Sequence, residues 1–217
     1  MKVVVLGASG AVGGELVQQA VARGWDVVAV ARASSSIEVP PHVALHRCEL
    51  TDVDGLTAAF QGADAVLSAV GLNLPGFSPF GQAEVPDLLS RCTPIIVDAM
   101  KRAGVGAVVA VSAGGVGDSA AVMPGFFRLL IKLTSLRRLY PELEAMEEAY
   151  RGSGLRACCA RPTTLTLDPP TGRVVVADKL SGNPTIPRAD LAGWMLDTVE
   201  QDRFDVFGPV LTVTGAA

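Results

Sequence analysis

The chain begins MKVVVLGASGAVGG, an apolar run that gives way to glycine at every third position, Gly7, Gly10 and Gly13. A strand that turns there and continues as a helix leaves bare backbone at the junction. In such a turn one glycine permits the sharp reversal, one lets an anion come close, and one lets the helix pack against the strand. The helix start adds unpaired N–H groups and the positive end of its dipole. Residues 7–13, with Ser9, Ala11 and Val12 between the glycines, are therefore expected to cradle a dinucleotide pyrophosphate. The competing reading is a tight turn with no ligand. A glycine triplet alone is a weak signal, and its place between a strand pattern and a helix pattern is what makes it specific.

That place is set by the rest of the chain. Residues 3–6, 27–31, 65–70 and 107–111 are short, continuous apolar runs rich in valine and alanine. Continuous rather than alternating apolarity suits parallel strands covered on both faces. Helical patterns lie between them: one with Val12, Leu16 and Ala20 on one face ending at Gly24, one over DVDGLTAAFQG with Asp52 or Asp54 as N-cap, and one over about 85–103 ending at Gly104. The alternation predicts right-handed βαβ units and an α/β fold, a doubly wound parallel (Rossmann) sheet.

After Ser112 the rhythm changes to a glycine-rich loop. Two helices, FFRLLIKLTSLRRLY and PELEAMEEAYRGSG, follow, the second expected to start at its proline. LRACCARP reads as a strand, RVVVA follows a DPPTG turn, RADLAGWMLDTVEQD is a helix, and PVLTVTG closes the chain. The whole, 1–217, reads as one domain, with residues from about 163 forming a small C-terminal cap that takes part in the substrate site.

The 217 residues are 49% hydrophobic and 18% charged, with net charge −4 and pI near 5.2. That balance provides no basic surface for nucleic acid and no apolar run long enough for a membrane span. The four cysteines have no metal-ligand spacing and the histidines are two, so no metal site is expected. Cys158 and Cys159 should face opposite sides of a strand. A reduced, cytoplasmic protein is the expectation, as a monomer or weak homodimer.

The second strand pattern ends at Arg32, followed by Ser34, Ser35 and Ser36, with no acidic residue to grip a ribose 2′-hydroxyl. A guanidinium fork and hydroxyl donors suit a 2′-phosphate, which favours NADP(H) over NAD. The bland alternative is a solvated arginine beside a loop.

The segments VVVLGASGAVGGELVQQAVARGWDVVAVAR, GADAVLSAVG, VVAVSAGGVGDS, YRGSGLRACCARPTTL and IPRADLAGWML occur in this order. Together they resemble the atypical short-chain dehydrogenase/reductases, the NmrA-like group. The resemblance implies that Glu49 and Leu50 flank the adenine, Val70 and Gly71 the ribose, and Ser112 and Pro162 the nicotinamide side. Ser112, at a strand end, either hydrogen-bonds a substrate carbonyl or the carboxamide as a catalytic group, or simply bonds local backbone.

The family's usual acid is a tyrosine with a lysine four residues on. Here Tyr140 is followed by Glu144 and Tyr150 by Gly154, so neither pair matches. Tyr140 is read as a packing residue at a helix boundary, and Glu144, Glu147 and Glu148 as a solvated face. Without the dyad, carbonyl–alcohol chemistry is disfavoured, and hydride transfer from NADPH to a flavin, quinone or similar planar, conjugated acceptor is favoured. A non-catalytic NADP(H) sensor and a cofactor-assisted epimerase or isomerase are the other readings. The stretch 72–86, with Phe77 and Phe80, is either a mobile apolar lid or a loop anchored by its aromatics. MPGFFRLLIKL, from Met123, reads as a second apolar surface, lining the pocket or meeting another subunit.

Overall fold

The computed structural model describes residues 1–71 and 86–213, and the 72–85 stretch with its two phenylalanines lies outside them. The elements run β1 (Lys2–Leu6), α1 (Ala11–Ala22), β2 (Asp26–Ala31), β3 (Ala44–Arg47), α2 (Val53–Phe60), β4 (Ala65–Ser68), α3 (Leu88–Ala103) and β5 (Ala107–Val111). A 3-10 turn, Gly117–Ala121, leads on to α4 (Gly125–Leu133), α5 (Leu136–Arg151) and β6 (Arg156–Pro162). The chain ends with β7 (Thr164–Thr166), β8 (Val174–Val176), β9 (Thr185–Pro187), α6 (Arg188–Glu200) and β10 (Val210–Val213).

Among the described residues eight strands form one sheet in the order β3-β2-β1-β4-β5-β6-β10-β8. Every neighbouring pair is parallel except β10 with β8. This is a doubly wound α/β sheet, and its order reverses at β1, between β2 and β4. Continuous apolar strands are consistent with cover on both faces. Residues 3–6 of β1 are fully buried. Val66 packs with Leu56, Ile96 and Met146 of α2, α3 and α5, while Leu67 packs with Leu16 and Met195 of α1 and α6. Cys159 and Cys158 divide between the same two faces.

The residues beyond 163 are spread over several places. β10 and β8 extend the main sheet, β7 and β9 pair in a two-stranded sheet, and α6 lies beside α1. Arg23 of α1 bridges to Asp197 and Glu200 of α6 at 2.6 and 2.9 Å.

Two expectations need amendment, and one strand, β3, was not anticipated. β3 carries no apolar run, because ALHR is an edge strand and only half of its residues are even partly buried. The helix expected from Pro141 starts at Leu136, and the break from α4 falls at residues 134–135. Pro141 lies inside α5 and is exposed, so the helix gives up one backbone bond while Tyr140, Leu143 and Met146 hold it to the core. Tyr140 is consequently a buried residue within a helix and not a boundary residue.

Candidate functional site

The three glycines of the first turn are required for different reasons. Gly7 has φ +74°, and a Cβ there would lie 2.7 Å from the Ala69 carbonyl oxygen. A Cβ on Gly13 would lie 2.1 Å from the Gly7 carbonyl oxygen. Both are demanded by the protein's own backbone. Gly10 is not: its φ of −82° suits any residue, and among the described residues a Cβ would meet only the Gly7 carbonyl oxygen, at 3.3 Å. It is the N-cap of α1, yet no side chain caps that helix and no acidic residue stands in its first turn. The helix dipole and first-turn N–H groups are thus left to an anion. A cradle that a Cβ on Gly10 would begin to fill is the fit expected for a pyrophosphate.

A cavity of about 270 Å³ opens from this turn. Gly7, Ser9 and Gly10 line it on one side, with Arg32 and Ser35 beside them from the end of β2. Glu49 and Leu50 after β3, and Val70 and Gly71 after β4, complete the part anticipated from sequence. Of the other expected residues, Ala11, Val12 and Gly13 lie in α1, Ser34 is exposed, and Ser112 and Pro162 sit buried at the ends of β5 and β6; none of these lines the cavity.

Sequence reading missed Leu88, Arg91 and Cys92 from the start of α3, which also line the cavity, as do Val30 and Cys48 among others. It also missed Arg47, whose Nη1 donates to the carbonyls of Arg32 and Ser35 at 3.0 Å each. This ties down the loop that carries Arg32. No local pattern marks such residues, since their roles exist only once β3 and α3 are docked. Burial pushes the thiol of the wall residue Cys48 up to about 11 and raises that of Cys92 as well, which disfavours the thiolate in both.

At the ends of β5 and β6 the structure corrects the reading of α5. Glu147 is 2% exposed and not part of a solvated face, although Glu144 and Glu148 are exposed. Its carboxylate accepts Arg161 Nε at 2.9 Å and Nη2 at 2.6 Å, and it also accepts the Ser112 hydroxyl at 2.6 Å. Arg161 donates further to Asp118 at 2.6 Å and to the Gly208 carbonyl at 3.3 Å. Burial works against the Arg161 charge, but the hydrogen bonds it donates to Glu147 and Asp118 outweigh it and raise the pKa. The Asp118 carboxyl is lowered, first by its hydrogen bond with Arg161.

The Ser112 proton is therefore committed to Glu147, and its oxygen remains as an acceptor. Tyr140 donates to the Gly114 carbonyl at 2.7 Å, and Tyr150 is 1% exposed. Burial raises both phenols above their ordinary value, so neither is a poised acid. Thr163, 5% exposed at the end of β6, has a hydroxyl with no hydrogen-bond partner among the described residues. The apolar surface anticipated near Met123 is exposed at Phe126, Leu129 and Leu133 of α4 and does not line the cavity.

Residues 7–202 match the family described as NAD(P)H-binding. An uncharacterized chloroplastic protein of Arabidopsis thaliana, At2g34460, is 33% identical over 184 residues, an alignment that covers 81% of this chain and 63% of that protein. The chain thus spans less than two thirds of the Arabidopsis protein's length. Among solved structures, the anaerobilin reductase ChuY of Escherichia coli is 18% identical with TM-score 0.77, covering 99% of this chain and 98% of ChuY. A short-chain dehydrogenase/reductase of Veillonella parvula in complex with NADP is 16% identical with TM-score 0.77, covering 99% of this chain and 95% of that one. At such identities the two structures share the fold. With its glycine turn inside the matched region and a Rossmann sheet beneath it, the chain belongs to the NAD(P)H-binding family and resembles the atypical short-chain dehydrogenase/reductases.

Proposed function

We propose that the protein is an NADPH-dependent oxidoreductase that delivers hydride to a flavin, a quinone or a similar conjugated acceptor. The observation that carries this reading is the sharing of one cavity by Gly10, Arg32 and Ser35, with no acidic residue at the end of β2. Bound NADPH supplies the hydride. The α1 N-terminus holds the pyrophosphate, Arg32 and Ser35 hold the 2′-phosphate, and Arg47 keeps their loop in place. Glu49, Leu50, Val70 and Gly71 wall the adenosine half. Ser112, its proton given to Glu147, would have only its acceptor capacity to offer the carboxamide of a bound cofactor and could not polarise a substrate carbonyl. A flavin or quinone that gains hydride takes its proton from water, so neither buried tyrosine is needed.

This reading places the protein in the NmrA-like group, acting in the cytoplasm as a monomer or weak homodimer, with a planar small molecule as its partner. The E. coli neighbour is named for reduction of anaerobilin, which adds that compound to the acceptors worth testing. A second reading, a non-catalytic NADP(H) sensor, is favoured by the commitment of the Ser112 proton and the burial of both phenols.

One screen separates the two. Purified protein is given NADPH or NADH with flavins, quinones, tetrapyrroles and carbonyl compounds, and cofactor oxidation is followed. The expected result is turnover of NADPH with a conjugated acceptor and slower turnover of NADH. Tight binding of both NADP⁺ and NADPH with no oxidation by any acceptor establishes the sensor instead.

A further inference from the structure

Arg91 is the one basic side chain that α3 contributes to the cavity wall. The start of α3 is fixed from outside: Glu142 of α5 accepts the Leu89 and Ser90 N–H groups at 3.1 and 3.0 Å and the Ser90 hydroxyl at 2.9 Å. Leu89 and Cys92 are buried on either side of it in sequence. The backbone at Arg91 is thereby held while its side chain stays half exposed at the cavity. Among the described residues its ion-pair partner is Asp87, 3.9 Å away, with both side chains more than half exposed. A pair of that length and exposure holds a guanidinium weakly.

The cavity is lined by two chemically different groups of residues. Arg32 and Ser35 stand with the glycine turn, where phosphate groups are expected. Arg91 stands with Leu88 and Cys92, and Leu88 packs in the same apolar cluster as Leu50 and Val70. A planar heteroaromatic ring fits an apolar wall with a planar cation over its open face, because guanidinium stacks on such rings and is weakly hydrated. We propose that Arg91 stacks on the adenine ring and sets affinity for the base, while Arg32 reads the 2′-phosphate. The assignment rests on the dinucleotide reading above and divides its binding energy between two arginines.

The test measures calorimetric affinities for NADPH, NADH and adenosine 2′,5′-bisphosphate in the wild type and in Arg91→Ala, Arg91→Lys and Arg32→Ala. Arg91→Ala should weaken all three ligands by one common factor, roughly three- to thirtyfold. Arg91→Lys should recover little of this, because an ammonium has no plane to stack. Arg32→Ala should weaken only NADPH and the bisphosphate. Circular-dichroism melts of the Arg91 variants should match the wild type, which ties any loss to the side chain. Unchanged affinities in Arg91→Ala, or losses confined to the ligands with a 2′-phosphate, overturn the stacking role. Failure of the NADP(H) reading looks different: the wild type prefers neither cofactor and Arg32→Ala is silent, whatever Arg91→Ala does.

Discussion

Adding a single methyl group separates the three glycines of the first turn. At Gly13 it would collide with backbone at 2.1 Å, at Gly7 it would also need φ +74°, and at Gly10 it would meet one oxygen at 3.3 Å. Gly10→Val should therefore keep the fold and lose the ligand. We expect its melting temperature to stay within a few degrees of wild type while NADPH affinity falls by about a hundredfold or more, worth roughly 2.7 kcal/mol. Isothermal titration beside a thermal melt checks both halves, and retained tight binding would make the turn purely structural. Arg32→Ala should cost NADPH roughly ten- to hundredfold, since a charge-assisted contact is worth about 1.5–3 kcal/mol, and should leave NADH nearly unchanged. Equal losses for both cofactors would remove the 2′-phosphate assignment. Gly10 and Arg32 were legible in the sequence because their positions relative to a strand end define them. Arg47 and Arg91 were not, because their long side chains reach a loop and a cavity wall that only tertiary docking brings near.

Where β5, β6 and α5 meet, Glu147, Arg161 and Ser112 form a buried polar unit that matters more to stability than any surface pair. Both charged side chains are 3% exposed, and the bidentate geometry satisfies most of their hydrogen-bonding capacity. Removing one partner strands the other. Glu147→Ala should destabilise the protein by about 3–5 kcal/mol, whereas replacing both partners with apolar residues should cost less than the two single changes added together. Urea unfolding of the single and double variants measures this, and strict additivity would show that the pair is uncoupled. The pattern of α5 hid the unit because Glu147 lies among charged neighbours, and composition alone reads such a run as solvated. Arg161 directly across the interface, together with the Ser112 hydroxyl, makes burial affordable. The start of α5 was misread for a similar reason: Pro141 is a good helix starter, and nothing local tells that Tyr140 and Leu143 packing holds the helix on both sides of it.

The doubly wound parallel sheet and its two-faced core were legible as apolar rhythm, because burial on both sides removes alternation from the strands. Edge strand β3 and the distribution of residues beyond 163 were not, since neither carries that rhythm. The same depth of burial governs the molecule's response to pH. Burial raises the Cys48 thiol to about 11 and the Cys158 thiol to about 12, against an ordinary value of 9.0. The folded chain thus holds protons that the unfolded chain releases first, so this stability is intact below about pH 9 and drains away as pH climbs through 11 and 12. The chemistry follows from that interior too. Tyr140 is 8% exposed and spends its proton on the Gly114 carbonyl, so Tyr140→Phe should lower stability slightly and leave flavin or quinone reduction within a few-fold of wild type. Ser112→Ala should lower turnover roughly tenfold, since one orienting hydrogen bond is worth about 1 kcal/mol or somewhat more. Because Ser112 keeps only acceptor capacity, that loss should vanish with an NADPH analogue whose carboxamide is replaced by an acetyl group. Steady-state rates at saturating cofactor decide the matter. Abolished activity in Tyr140→Phe beside a silent Ser112→Ala would require a tyrosine acid, and with it a conformation in which the first turns of α5 release Tyr140 into the crevice.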